Sequence, residues 1–367
     1  MRLRLLGGEV PLHPAPTYRR VPALTSRVAY AAAHVVPRTT ADNTPGSPAD
    51  LDWDKTLAFR HHLWSWGLGV ADAMDTAQRN MGLDWAACTE LIRRSAHEAA
   101  SVGGALVVGV NTDHVAESHI SLDEVITAYL EQLEVAEDAG AGVVMMASRH
   151  LARAASTATD YERVYREVLS HAGSPVVLHW LGEAFDASLA GYFTSADTVI
   201  QIIEDNVDRV AGIKMSLLDA DAEIAVRSRL PEGVRMFTGD DFNFVGLIES
   251  GSDALLGAFA AIAPSAAAAI RALDDGDAGE YRRILDPTEA LSRQIFAAPT
   301  QYYKTGVAFL SWLNGHQDAF QMVGGLHSAR SIPHLSEIVR LANEARALER
   351  PEFAAARWHQ LLTLNGL

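Results

Sequence analysis

The chain has very little lysine. Of its 367 residues only Lys55, Lys214 and Lys304 are lysines, and arginine supplies the rest of the 30 basic side chains. Basic charge is short overall, because 46 acidic residues leave a formal net charge of −16. That balance argues against nucleic acid and against anionic membrane as partners, since both demand a basic face. It leaves room for a small anionic substrate, which a few local arginines can bind. Cysteine is almost absent. The single Cys88 excludes an intrachain disulfide, fits a reducing compartment and reads as a small core residue in a helical pattern. Long apolar runs are missing as well. The longest candidate for a membrane span, Ala254–Ile270, is broken by Gly257 and Pro264. Arg4 and the Gly7-Gly8 pair interrupt the first apolar residues, so no secretion signal is read there. The expectation is a soluble cytoplasmic protein.

What is present is a repeated alternation. Short β-branched runs fall at Arg27–Val36, Gly69–Met74, Ala105–Val110, Gly142–Ala147, Pro175–His179, Val210–Lys214, Val234–Thr238 and Asp253–Gly257. Most are uniformly apolar, as strands covered on both faces are. Longer amphipathic segments separate them, among them Asp84–Ala100, Ser121–Ala139 and Asp160–His171. Eight strand–helix units predict an α/β chain, a (β/α)8 TIM barrel over residues 27–273. Residues 1–26 read as an irregular lead-in. Residues 274–367 read as a C-terminal helical extension, with helices at Ala278–Phe296, Gln301–Asn314, Ser336–Ala347 and Glu352–Leu364.

Reacting groups of such barrels sit at the C-terminal ends of the strands. Here those ends carry His34, then Asp72, Asp75 and Thr76, then Arg149, then His179, then Lys214 and Ser216, and finally Asp240 with Asp241. Lys214 stands out because lysine is scarce. Arginine stays protonated, whereas a desolvated lysine can lose its proton and attack a carbonyl to form a Schiff base. The competing reading is a lysine whose stem packs while its head reaches solvent. For Asp240 and Asp241 the competing reading is capping of the next helix. Tyr302-Tyr303 and Trp312 read as core or as a subunit contact.

Three segments carry a family resemblance. Gly212-Ile213-Lys214-Met215-Ser216 resembles the Schiff-base strand of the dihydrodipicolinate synthase and N-acetylneuraminate lyase superfamily, usually Gly-Ile-Lys-Asp-Ser. Thr238-Gly239-Asp240-Asp241 with Gly251-Ser252-Asp253-Ala254 resembles its Gly-Asp-Asp and Gly-Ala-Asp-Gly pair, and Ser174–Leu178 resembles its fifth strand. The resemblance spans roughly residues 27 to 345. It implies a class I aldolase or lyase, with Lys214 as the imine-forming amine and a homo-oligomer, a dimer or tetramer. No cofactor and no metal are implied, and the partner is a small carbonyl substrate.

Two departures bear on chemistry. The family's proton-shuttling tyrosine is replaced by His179, which can also relay protons near neutral pH. Its Gly-Thr-Thr-Gly-Glu loop, which grips the carboxylate of a 2-oxo acid, corresponds to Met74-Asp75-Thr76-Ala77-Gln78. A negative Asp75 repels a carboxylate. The expectation is therefore a keto-sugar or sugar-acid derivative, or else a carboxylate held elsewhere, for instance on Arg149, with Asp75, Thr76, His34, Arg149, Asp240, Asp241 and Ser216 as candidate binding residues. Two other readings compete. One is a metal-dependent barrel isomerase or lyase using some of His34, Asp72, Asp75, His179 and Asp240. The other is a ligand-binding barrel without activity.

Overall fold

The computed structural model describes residues 1–20 and 23–367. Eight parallel strands close into a barrel: β3 (Ala29–Ala32), β4 (Gly69–Asp72), β5 (Leu106–Val110), β6 (Gly142–Met145), β7 (Val176–Leu181), β8 (Val210–Ser216), β9 (Arg235–Thr238) and β10 (Asp253–Leu256). They follow chain order, and β10 pairs with β3 to close the ring. This is the TIM barrel expected from the alternation of strands and helices. The eight apolar runs became its eight strands because every strand is buried on both faces. Inside lie Ala32, Ala71, Val107, Val144, Val177, Phe237 and Leu255, one or more from most strands. The opposite faces pack on the surrounding helices.

Local signals set the helix ends. Asp84 caps Trp85–Val102 through the Ala87 amide, and Gly103 ends that helix at φ 65°. Ser121 and Glu124 form a reciprocal capping box at the start of Leu122–Asp138. Among the C-terminal helices, one expected start is wrong by four residues. The helix placed at Ser336 begins at Ile332, because Ser331 caps it and Pro333 fits its first turn.

The lead-in is not wholly irregular. Strands β1 (Arg2–Leu5) and β2 (Gly8–Pro11) pair antiparallel across Leu6-Gly7. The alternation Arg2-Leu3-Arg4-Leu5 buries Leu3 and leaves both arginines exposed, the pattern of a half-covered strand. Val21 and Pro22, also within this lead-in, lie outside the described residues. The hairpin docks on the end of the chain: Trp358 Nε1 donates to Arg4 O at 2.9 Å, and Asn343 bonds both His13 N and Pro11 O.

After the barrel come helices Ala263–Asp274, Ala278–Ile295, Tyr303–Asn314, Ile332–Glu344 and Pro351–Leu364. They share one apolar core with the β3, β4 and β10 side of the barrel. Phe309 is fully buried there, which contributes about 2–3 kcal/mol. That packing brings the start of Tyr303–Asn314 to the C-terminal mouth of the barrel. There the Tyr303 hydroxyl and Thr76 Oγ1 lie 2.8 Å apart. No described helix is long and apolar enough to cross a membrane.

Candidate active site

Lys214 lies on β8, with only 8% of its surface exposed. It pairs in register with His179 on β7 and with Phe237 on β9. Gly239 leaves the space its stem occupies: a Cβ there would stand 2.7 Å from Lys214 Cε and 2.2 Å from Ser216 Oγ. Burial lowers the Lys214 pKa, opposed by the nearby charges of Asp75 and Asp241. Burial, aided by Lys214, also pushes His179 well below the usual histidine range. His179 is therefore neutral. Its Nε2 lies 3.2 Å from Ser216 Oγ, and its Nδ1 has no hydrogen-bond partner among the described residues. A buried ring nitrogen left open costs free energy unless a ligand completes it.

Asp241 follows β9. Its carboxylate accepts from the Ala258 amide at 2.8 Å, and burial raises its pKa to about 7. Asp75 and Thr76 sit on the loop after β4, which is held in an unusual shape. Ala73, Gln78 and Asn80 all adopt positive φ, at 49°, 69° and 59°, at a cost of about 1–3 kcal/mol each. Buried side chains over-determine it. Arg79 donates to Ala73 O and Gly109 O, and Gln78 donates to Val323 O. Gly109 is required at this close approach, since a Cβ would meet Ala73 O at 2.6 Å. A cavity of about 220 Å³ opens beside the loop, lined by Asp75, Asn111, Thr112, Arg149, His150 and Asp186 among others.

The expected residues thus divide. Lys214, His179, Ser216, Asp241 and Asp75 are linked by direct contacts or by mutual fields, and Thr76 adjoins Asp75 in the chain and bonds Tyr303. Arg149 lines the cavity but is paired with Asp186. Two expectations are corrected. The Asp240 carboxylate is consumed by its own loop, accepting from the Phe242 and Asn243 amides and from Asn243 Nδ2. His34 turns to the seam with the C-terminal helices: its Nε2 bonds Gln317 at 3.1 Å and its ring packs edge-on to Phe59. The suggested metal ligands do not gather either. Asp72 is locked to Arg60 and Ser95, and the one converging His/carboxylate trio among the described residues lies elsewhere.

Two residues at the mouth were not among the expected site residues, Tyr303 being read as core, where it is indeed buried. Tyr303 bonds Thr76 and stacks on Phe296 at 4.3 Å. Lys304 is buried beside it, donates to Gln301 O at 3.1 Å, and feels Asp75, Arg149 and Asp186. Burial lowers its pKa to about 8. Lysine scarcity was the available signal, because two of the three lysines lie at this end of the barrel.

Solved structures share this architecture. The 4-hydroxy-tetrahydrodipicolinate synthase of Methylacidiphilum fumariolicum matches with a TM-score of 0.69 at 16% identity, over 91% of this chain and 99% of that one. Dihydrodipicolinate synthase of Thermotoga maritima matches at 0.68 and 14%, over 88% and 100%. That of Aquifex aeolicus matches at 0.64 and 14%, over 93% and 98%. The fold expected from the three motifs is therefore the fold found. No curated protein matches significantly. The chain belongs, over residues 9–367, to the family described as "Protein of unknown function (DUF993)".

Proposed function

We propose that the protein is a Schiff-base-forming lyase or aldolase of class I acting on a small carbonyl substrate. The observation that carries this reading is Lys214 itself: a buried amine at the C-terminal end of a barrel strand, in register with a neutral histidine. The free amine adds to the substrate carbonyl. Loss of water then gives a protonated imine on Lys214. The imine withdraws the electron pair of the adjacent bond, which breaks to leave an enamine. His179, whose buried Nδ1 has no hydrogen-bond partner among the described residues, takes the proton of the substrate hydroxyl as that bond breaks and returns a proton to the enamine carbon, and water then hydrolyses the imine to release the product and free Lys214. Thr76 with Tyr303, and Asp75, orient hydroxyls.

A keto-sugar or sugar-acid derivative remains the favoured substrate class, with Asp75 accepting from a hydroxyl. Lys304 moderates the objection to a 2-oxo acid, because its ammonium offsets the charge of Asp75. The reading includes a cytoplasmic dimer or tetramer, which sedimentation tests.

Borohydride trapping tests the chemistry. The protein is incubated with pools of keto-sugars and of 2-oxo acids, reduced, weighed intact and mapped. The expected result is one adduct, on Lys214, missing from Lys214→Ala. Full turnover by Lys214→Ala, once a substrate is found, overturns the mechanism.

A further inference from the structure

We propose that His62, His316 and Glu349 form a binding site for one divalent transition-metal ion of the zinc class, in the seam between the barrel and the C-terminal helices. The three potential ligand atoms lie within 4.8 Å of one another. Glu349 Oε1 stands 2.8 Å from His316 Nε2 and 3.5 Å from His62 Nε2. A tetrahedral zinc with bonds near 2.0–2.1 Å separates its ligand atoms by about 3.3 Å. The two measured separations bracket the spacing the ion needs, the third is at most 4.8 Å, and small side-chain rotations bring the three donors to one ion. Two imidazoles and one carboxylate are a donor set suited to zinc, with a fourth position left to water.

The ligands are held from outside the trio by aromatic packing and by hydrogen bonds to their main chain. His62 sits in the last turn of helix Trp53–Ser65 and stacks on Phe59, with ring centroids 5.9 Å apart. His316 packs edge-on to the same Phe59 at 5.3 Å, and its amide donates to Ser311 O. The Glu349 amide donates to Asn314 Oδ1, while Asn314 Nδ2 donates to Ala347 O. Three separate segments thus place one donor each, with both imidazoles packed on a shared aromatic ring. The side chains are 12%, 18% and 26% exposed, enough for an ion to enter. Arg20 brings an opposing charge nearby, which the carboxylate of Glu349 offsets.

The ion would tie the first barrel helix to the two loops flanking the last helices. It would also fix the loop from which Gln317 holds His34. Its role is structural, and it is independent of the Schiff-base reading.

The test uses the full chain, stripped with chelator and returned to chelator-free buffer. Zinc should bind at one ion per chain by elemental analysis and raise the melting temperature. Cobalt in its place should give the visible absorption of a four- or five-coordinate nitrogen and oxygen site. His62→Ala and Glu349→Gln, the latter keeping volume and hydrogen bonding, should each abolish stoichiometric binding. Lys214→Met should retain it. Failure of the unaltered chain to bind, or unchanged binding in both His62→Ala and Glu349→Gln, overturns the proposal.

Discussion

Lys214 and His179 face one another in register on adjacent barrel strands, and the lysine helps to keep the histidine uncharged. The effect runs one way near neutral pH, since a neutral imidazole places no charge on the amine. Burial is the larger cause of the depressed histidine pKa and Lys214 the smaller. Lys214→Met should therefore raise the His179 pKa, but not to the ordinary value of about 6.5. Proton NMR titration of the ring measures it. A return to 6.5 would mean that charge, not burial, controls the site.

The same group links stability to pH. The folded pKa of His179 is depressed, so its contribution is present above the unfolded pKa and is lost as pH falls below about 6.5 toward the folded value. Thermal melts of wild type between pH 7 and 5 should show a decline that His179→Asn reduces. An identical decline in both would remove His179 as a cause.

Asp241 works in the opposite sense. Its pKa is raised to about 7 by burial, so its contribution is greatest below the unfolded pKa and is lost as pH rises through about 7. Asn at this position keeps the acceptor for the Ala258 amide and carries no charge. Asp241→Asn should therefore be less destabilised than wild type when melts at pH 8 are compared with melts at pH 5. It should also remove one of the two carboxylates that favour the Lys214 ammonium, lowering the lysine pKa further. The acid limb of trapping against pH should then move to lower pH. A shift to higher pH would contradict this assignment.

The barrel was legible because its signal is repeated eight times, in apolar runs at regular intervals. The buried position of Lys214 near the end of a strand was legible because one local motif and a rare residue type coincide. His34 and Asp240 were misplaced for a common reason. A position at a strand end fixes where a residue starts, but its direction depends on partners distant in sequence or on the turn that follows. His34 is drawn to Gln317, 283 residues away, and Asp240 is taken by the amides of its own loop. Tyr303, read as core or subunit contact, is buried in the core, and its further contact with Thr76 spans 227 residues. Nothing in helical periodicity announces such a contact.

On the proposed reading, Lys304 is the residue expected to decide how the site treats a carboxylate. Its ammonium is buried with Asp75, Arg149 and Asp186 as charged neighbours. Methionine keeps the length of the stem without the charge. Lys304→Met should leave trapping of neutral keto-sugars near wild type and weaken trapping of 2-oxo acids by roughly 10–100-fold, the worth of one charged hydrogen bond of about 1.5–3 kcal/mol. Apparent affinities from adduct yield against concentration measure the contrast. Equal losses for both pools would place Lys304 in a structural role.

Gly239 is the position where a single methyl group should be felt most by Lys214. A Cβ would approach Lys214 Cε to 2.7 Å, Ser216 Oγ to 2.2 Å and Met215 O to 2.8 Å. Met215 O is backbone and already accepts from the Gly239 amide at 2.7 Å, so it cannot retreat without straining the β8–β9 pairing. The side chains must move instead. Gly239→Ala should cost about 1–3 kcal/mol of stability through overpacking, and displacement of the amine by about 1 Å should slow adduct formation by roughly 100-fold. Gly246→Ala is the matched control, because a Cβ there meets nothing within 4 Å on the helix Phe244–Glu249. It should be neutral or stabilising by up to about 1 kcal/mol. Trapping rates and melting temperatures of the two variants, measured side by side, separate a general response to alanine from one specific to the lysine. A wild-type trapping rate in Gly239→Ala would mean that the position of the Lys214 amine does not depend on this glycine.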